Sequence, residues 1–358
     1  MKIKSILYVG VCAVFFWACG KDDNGPEPLP EPNPVQQPEP EQPKDTVVYV
    51  AGVQINGYGK GVATLWTNTI PEELSDGFST NVIKGMEVID NTIYLAGIGI
   101  NGNGRNIAKI WENGEETLLT NEEDQSDATA ICLYNDDVFI TGNYGGDGIL
   151  KIWSNGSETD VTDGTFYSYA SDITVNEIGS YISGHIAKTH EIATIWKNGT
   201  PIELTNGSSN ARANAIFLAD GDVYAGGFEN NSNGISMATI WKNGLGVRLT
   251  DGTYQAQVLS IYVIGNAVYA GGWQYDGNDQ PQAMLWKNGI PMDLDTQEQK
   301  SSAITKITLV GNDIYACGGL GSDIAAEYRA VVWKNGKSQL LESPYAVALA
   351  RDLKIVIE

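Results

Sequence analysis

Apolar and polar positions alternate along this chain in short runs that recur about every 45 residues. In the unit at 213–250, the polar turn ADGD separates the apolar runs AIFL and VYAGG. The looser stretch FENNSNGIS then leads to MATIW, and the turn KNG lies between MATIW and VRLT. Asn-Gly between β-rich runs indicates a hairpin, because both central residues of a type I′ turn adopt positive φ. No segment keeps a 3.6-residue apolar period, so the unit is predicted to form four antiparallel strands.

A tryptophan marks the third strand of every unit. These residues lie 42–47 positions apart and are Trp66, Trp111, Trp153, Trp196, Trp241, Trp286 and Trp333. A period of this length is typical of propellers and solenoids, and units made of strands favour the propeller. We expect the tryptophan to fill the widening gap between neighbouring sheets. We expect small residues such as Gly226 and Gly227 to fit near the axis, where sheets crowd.

The two ends of the repeat set the predicted number of blades. The repeat opens at Val47 with a second strand, and Asp352-Leu353-Lys354-Ile355 near its end has the first-strand pattern of Asp172-Ile173-Thr174-Val175. The sequence therefore predicts an all-β fold, a seven-bladed β-propeller of four-stranded antiparallel blades. A C-terminal strand at about 348–356 would close the ring by completing the N-terminal blade.

The first residues have the features of a secretory signal. Lys2 and Lys4 precede a short apolar run, which predicts a signal peptide over 1–18. The end of that run, FWAC, resembles a bacterial lipobox, which implies cleavage before Cys19 and lipid on its sulfur. The GKDDN stretch that begins at Gly20 resembles a signal for export to the outer face of the outer membrane. An ordinary signal peptide and a solvated linker are the alternatives.

Residues 19–45 are predicted to be a tether. Pro and Glu dominate this segment and almost nothing in it can be buried, so it is expected to be disordered and extended. At about 3.1 Å per residue it would reach on the order of 80 Å. The chain is thus expected to be anchored to the outer membrane through Cys19 and exposed at the cell surface, with the propeller occupying 46–358.

Charge and cysteine content narrow the classes of partner. The net charge of −22 argues against nucleic acid, whose binding depends on Lys and Arg. It also argues against docking on anionic lipid headgroups. Cys132 and Cys317 lie in different units and are predicted to be buried free thiols. We expect a monomer without cofactor or metal.

The long connections, second-to-third and fourth-to-first, are expected to share one face and to carry any binding site. Exposed aromatic side chains among amides and carboxylates suit sugar rings, and they suit protein contacts as well. The candidate ligand-binding residues are Trp273, Tyr275, Phe228, Tyr144, Tyr167 and Tyr254. The first two are preferred because their loop is long and otherwise polar.

The sequence gives weaker signals for metal binding and catalysis than for ligand binding. His185 and His190 share one segment, but zinc needs three or four converging ligands. The repeated TDG and TNG turns suit calcium or, more simply, the scaffold. No sialidase Asp box, nucleophile elbow or P-loop is present. A glycosidase needs only two carboxylates, and the loop-face candidates are Glu122, Glu123, Asp124, Asp147, Glu191, Glu229 and Asp276. No catalytic residue is assigned.

The strand–turn–VYAGG layout over 47–358 resembles kelch-type propellers, which also place a Gly-Gly pair at the end of the second strand. It departs from them in placing Trp on the third strand with Asn-Gly after it. The whole chain resembles bacterial surface lipoproteins with kelch-like seven-bladed propellers, a likeness that implies fold and location and no activity. We expect a non-catalytic glycan-binding module. A protein-interaction scaffold in an outer-membrane assembly and a polysaccharide hydrolase or lyase are the alternatives.

Overall fold

The computed structural model of the protein describes residues 46–322 and 327–357. The predicted signal peptide, Cys19 and the tether lie outside these residues. The described part is all-β, with five four-stranded antiparallel sheets and one eight-stranded sheet. This repeated architecture is propeller-like. Within the described ranges, no helix has the length and apolar character needed to cross a membrane.

Each repeat unit contributes four strands in a fixed order. The first strands are β4 (Asn81–Ile89), β8 (Ser126–Tyr134), β12 (Ser168–Asn176), β16 (Ala211–Ala219), β20 (Ala256–Ile264), β24 (Ser301–Val310) and β28 (Val347–Ile357). The second strands are β1 (Thr46–Ile55), β5 (Thr92–Ile100), β9 (Asp137–Tyr144), β13 (Gly179–Ala187), β17 (Asp222–Asn230), β21 (Ala267–Tyr275) and β25 (Asp313–Ser322). The third strands are β2 (Gly61–Thr67), β6 (Asn106–Glu112), β10 (Ile149–Ser154), β14 (Glu191–Lys197), β18 (Ser236–Lys242), β22 (Pro281–Lys287) and β26 (Glu327–Lys334). The short fourth strands are β3 (Ile70–Glu73), β7 (Glu115–Leu118), β11 (Ser157–Asp160), β15 (Thr200–Glu203), β19 (Leu245–Arg248), β23 (Ile290–Met292) and β27 (Lys337–Leu340).

The repeated Asn-Gly pair forms the predicted tight turn between the third and fourth strands. Asn243 has a φ of 49° and Gly244 a φ of 83°, as a type I′ turn requires. The asparagine has a second role, because its Oδ1 accepts a hydrogen bond of 2.9 Å from the backbone N–H of Val223, where the second strand begins. The turn residue thus fastens the outer hairpin to the middle of its own sheet.

The C-terminal strand pairs with the N-terminal one. β28 runs antiparallel to β1 from Thr46, opposite Ile357, to Ile55, opposite Val347. The eight-stranded sheet consists of this four-stranded group (β28-β1-β2-β3) and of β24–β27, joined by one parallel pair between Tyr328 and Val347. The predicted completion of the N-terminal sheet by the C-terminal strand is confirmed.

The tryptophans of the third strands form the core between neighbouring sheets. All seven are at most 5% exposed. Trp66 packs against Tyr315 and Val332 of the β24–β27 group, and its indole N–H donates to the carbonyl of Glu342 at 2.8 Å. Trp241 likewise packs against Tyr181 of the preceding sheet. The prediction that tryptophan fills the gap between sheets is confirmed.

Cys132 and Cys317 are both buried and free, as predicted. Burial raises the pKa of both thiols, that of Cys317 to about 12. Because the thiolate is the reactive form, these cysteines are inert packing residues at neutral pH.

Candidate functional site

The first strand of every unit carries a one-residue β-bulge at the same place. In β28, Asp352 pairs with Ala51 and Ala350 pairs with Gly52, so Arg351 has no opposite residue. The residues skipped in this way are Lys84, Thr129, Ser171, Asn214, Leu259, Thr305 and Arg351. A bulge leaves its extra residue outside the ladder and re-aims its side chain. We call these seven the bulge residues.

A glycine of the second strand faces each bulge. A Cβ on Gly227 would lie 1.9 Å from the carbonyl oxygen of Arg212, and the equivalent distances in the other units are 1.7–2.1 Å. A larger residue there would displace the bulged strand. Crowding between sheets, the predicted reason, holds for Gly226, where a Cβ would lie 2.5 Å from Cγ1 of Val258 in the next sheet. The bulge, which the sequence analysis missed, explains Gly227.

All seven bulge residues line one cavity of about 380 Å³, which we call the first-strand cavity. Every first strand contributes to its wall. The residue that follows the bulge adds charge at three places, namely Asp172, Lys306 and Asp352. The cavity therefore combines hydroxyl and amide groups with charged groups of both signs, unlike the apolar layer around the tryptophans.

The two carboxylates of this cavity bond to backbone N–H groups of neighbouring sheets. Asp352 Oδ2 accepts from the N–H of Met86 at 2.9 Å, while Oδ1 accepts from Leu353 at 2.8 Å. Asp172 Oδ2 accepts from the N–H of Ile216 at 3.1 Å in the same way. These bonds tie one first strand to the next, so the carboxylates are part of the scaffold.

Burial and charge shift the ionisation of these groups. Burial raises the pKa of Asp172, although Lys306 opposes the effect. The Asp352 carboxylate raises the pKa of Lys306 above its ordinary value. Burial lowers the pKa of Lys84, whose Nζ lies 3.8 Å from Oδ2 of Asp127. Burial also lowers the pKa of Arg351.

The two preferred ligand-binding residues lie together. The ring centroids of Trp273 and Tyr275 are 5.0 Å apart with their planes 33° from parallel, and both rings are half-buried. They line a second cavity of about 280 Å³, which we call the aromatic cavity. Its other lining residues include Leu259, Pro281, Ser301, Thr305, Gly319, Tyr328, Leu349 and Arg351.

A missing side chain creates the aromatic cavity. Phe228 and Trp273 occupy equivalent positions one residue after the Gly-Gly pair of β17 and β21, and the equivalent position in β25 is Gly319. An aromatic residue at that point would occupy the space beside Tyr328, whose ring would lie 3.8 Å from a Cβ on Gly319. The aromatic cavity thus distinguishes this pair of sheets from the others.

The other predicted ligand-binding residues lie apart. Phe228 is only 7% exposed, so the prediction of an exposed aromatic is wrong there, because the extended strand carries its ring into the interior. Tyr144, at the end of β9, donates its hydroxyl to Asp124 and lies under Lys151. Tyr167 and Tyr254 are exposed, at 47% and 40%. The hydroxyl of Tyr254 would lie 3.3 Å from a Cβ on Gly277, just beyond β21.

The two histidines do not converge. His185 is buried on β13, where its ring stacks on Tyr169 at 5.6 Å and Nε2 lies 3.7 Å from Oε1 of Glu191. Burial lowers the pKa of His185 to about 4, so the ring is neutral at physiological pH. Nδ1 of His190 lies 3.1 Å from the carbonyl oxygen of Gly207 instead. Over 46–322 and 327–357, no group of three or more His, Cys, Asp or Glu side chains could hold a metal ion.

Two of the carboxylates considered for catalysis stabilise the protein's own structure. Glu191 binds Arg212 through two hydrogen bonds, and this guanidinium lowers the pKa of Glu191. Asp276 accepts from the backbone N–H groups of Asn278 and Gln280 at 2.8 and 3.0 Å. These bonds lower the pKa of Asp276. These carboxylates are ionised structural acceptors.

Sequence reasoning missed the basic residues of the first-strand cavity, Lys84, Lys306 and Arg351. One signal could have located them. A glycine recurs at a fixed register inside every second strand, and a glycine inside a strand indicates a bulge or a close backbone approach. The missed basic residues lie one or two positions after the residue that pairs with that glycine.

Comparison with known proteins identifies no family for this chain. A scan against protein-family models finds no match, and a search of curated proteins finds none. Among solved structures, a Mycobacterium tuberculosis puromycin-hydrolyzing peptidase is similar at 11% sequence identity with a TM-score of 0.44. The similarity covers 74% of this chain and 54% of that one, so this chain spans about half the length of that structure.

Proposed function

We propose that this protein is a lipid-anchored surface protein whose repeat region is a closed, kelch-like seven-bladed propeller that binds glycan without catalysis. Three observations support a ring. β28 completes the N-terminal sheet, Trp66 packs that sheet onto β24–β27, and residues of every first strand line one cavity. Sheets stacked around an axis bury both faces and leave short edges.

The proposed location depends on the sequence before residue 46. A signal peptide at 1–18, a lipidated Cys19 and an extended tether would hold the propeller outside the outer membrane. The net charge of −22 suits solubility there. Labelling intact cells with a membrane-impermeant reagent tests this location, and replacing Cys19 with Ser should release the protein from the membrane fraction.

The Trp273–Tyr275 pair is the observation that carries the binding proposal. Two half-buried rings side by side present an apolar surface on which the C–H face of a sugar can stack. Polar groups that could bond to sugar hydroxyls border the same cavity, among them the hydroxyl of Tyr328, which lies 2.9 Å from Oγ of Ser301. Concave sites with aromatic walls and a few polar groups are typical of small-molecule binding.

The first experiment is a glycan array probed with residues 45–358 and with Trp273→Ala. We expect binding that the substitution abolishes. Phe78→Ala is the matched control, because Phe78 is 84% exposed and lines neither cavity, so its loss should leave binding unchanged. Equal binding by Trp273→Ala, or no binding to a broad array, would refute the proposal.

A second candidate, a protein-interaction scaffold, is favoured by a separate patch. Tyr58 and Phe78 are 87% and 84% exposed in neighbouring loops. Asn56 joins those loops by donating to the carbonyl of Gly77 at 2.9 Å. Exposed aromatics of this kind are enriched at protein-binding hot spots. Crosslinking on intact cells should capture a partner protein with the wild type. The double variant Tyr58→Ser/Phe78→Ser should no longer capture it.

A further inference from the structure

The two cavities meet at three residues. Leu259, Thr305 and Arg351 line both the aromatic cavity and the first-strand cavity. A ligand stacked on Trp273 could therefore extend a substituent past Arg351 into the first-strand cavity. The chemistry at this junction decides which substituent would be favoured.

Arg351 is the bulge residue of β28, and its guanidinium makes no hydrogen bond or ion pair with any residue of 46–322 or 327–357. Its side chain is accessible to water, yet the surrounding protein is close enough to lower its pKa. Arginine nevertheless stays protonated at neutral pH. Arg212, by contrast, has Glu191 as its partner. Arg351 thus presents a charged, planar group of donors to the junction.

The nearby charges do not neutralise Arg351. Asp172 and Asp352 line the first-strand cavity, but each carboxylate already accepts backbone N–H groups through both oxygens. The negative charge of Asp352 also interacts with Lys306 and raises the pKa of that amine. Arg351 lies close enough to Lys84 to lower the pKa of that amine. Three basic groups and two acidic ones therefore share the first-strand cavity, and the basic ones come from β24, β28 and β4.

We propose that the site binds a saccharide carrying a carboxylate, with the sugar ring on Trp273 and Tyr275 and the carboxylate on Arg351. This inference rests on the proposed glycan-binding function and specifies its ligand class as a uronic acid. The guanidinium fork matches a carboxylate through two parallel hydrogen bonds. Lys84, whose Nζ lies 3.8 Å from Oδ2 of Asp127, lines the adjoining first-strand cavity.

A matched pair of ligands tests the inference in the full chain, purified in detergent. One is an oligosaccharide ending in a hexuronic acid, and the other is the same oligosaccharide after reduction of its carboxyl groups to alcohols. Calorimetry should show the acidic form binding about 10- to 100-fold more tightly, the range expected for hydrogen bonds to a charged group. The preference should shrink as salt concentration rises, because salt screens the charges.

Variants separate the inference from the function it rests on. Arg351→Gln should abolish the preference while the reduced oligosaccharide binds as before, and Arg351→Lys should keep part of it. Arg329→Gln is the control, because Arg329 is exposed on β26 and lines neither cavity. Thermal unfolding of each variant checks the fold.

Two outcomes would overturn the inference. Equal binding of both oligosaccharides, lost in Trp273→Ala, would refute the carboxylate specificity and leave glycan binding standing. A preference that survives Arg351→Gln would refute the role of Arg351. Failure of both oligosaccharides, with an empty glycan array, would refute the proposed function itself.

Discussion

Two parts of each repeat unit differ in how strictly their residues recur. We call the third strand, with its tryptophan, the outer part and the bulge of the first strand the inner part. On the third strand, every unit has a tryptophan followed two residues later by an asparagine. At the bulge of the first strand, the units carry Lys84, Thr129, Ser171, Asn214, Leu259, Thr305 and Arg351. Each part keeps the same backbone arrangement from unit to unit, yet only the residues of the outer part recur.

Packing explains the difference. The tryptophan is enclosed between two sheets, where close-packed interiors tolerate few changes of shape. A bulge residue has no opposite residue in the ladder and faces a cavity, so strand pairing does not restrict its side chain. The repeat therefore maintains one scaffold and leaves seven positions at which chemistry can differ. We infer that specificity lies at these inner positions and at the aromatic cavity beside them.

The largest loss of stability is expected from removing β28, because this strand carries the bulge residue Arg351 and also packs against Trp66. Deleting residues 347–358 removes Ala350 and Leu353 from the core around Trp66, together with the Asp352–Met86 bond. We expect the shortened chain to lose cooperative thermal unfolding, measured by circular dichroism. A synthetic 345–358 peptide should restore it. An unchanged unfolding midpoint would show that β28 is dispensable.

Single substitutions in the outer and inner parts should have smaller and clearly different effects on stability. Trp241→Ala should lower the free energy of unfolding by about 3–5 kcal/mol, because it leaves a cavity between two sheets. Ser171→Ala at a bulge should change it by no more than about 0.5 kcal/mol. Urea unfolding measures both. Similar losses from the two substitutions would contradict the distinction between packed and free positions.

The glycine that faces the bulge connects the two parts. Gly227→Ala would place a Cβ against the carbonyl oxygen of Arg212. It should destabilise the protein by about 1–3 kcal/mol, the usual cost of overpacking. Gly57→Ala is the control, because its Cβ would have nothing within 4 Å and should leave urea unfolding unchanged. A neutral Gly227→Ala would show that the bulge can relax.

The smallest effect concerns pH. Burial raises the pKa of Asp172 above 3.8, so its contribution to stability is present at low pH and is lost as pH rises through the folded pKa. The stability of Asp172→Asn relative to wild type should therefore increase from pH 3 to pH 7. Loss of the hydrogen bond between Asp172 and the N–H of Ile216 changes the stability of the variant by an amount that does not depend on pH.

Asp163→Asn is the control with the opposite sign. The backbone N–H of Thr165 lowers the pKa of Asp163, so wild type should gain stability over this variant as pH rises. Urea unfolding at each pH gives both slopes. Parallel slopes for the two variants would contradict the opposite pKa shifts.

The candidate site was only partly predictable. Trp273 and Tyr275 are two positions apart on one strand, and residues at that spacing share a face, so their pairing follows from the sequence. Phe228 has the same place in its own unit and is buried. The difference arises because Gly319 of the neighbouring sheet leaves a space beside Trp273 that no local pattern reveals.

The sequence by itself determined the strand order of each unit, the type I′ turns at Asn-Gly and the burial of the tryptophans, because these depend on local backbone preference and repeated spacing. Only the tertiary structure placed Arg351 where it lines both the aromatic cavity, with Trp273, and the first-strand cavity, with Lys84. These residues belong to three different sheets and are far apart in sequence. Their meeting depends on how the sheets pack and on a bulge that shifts one residue out of register.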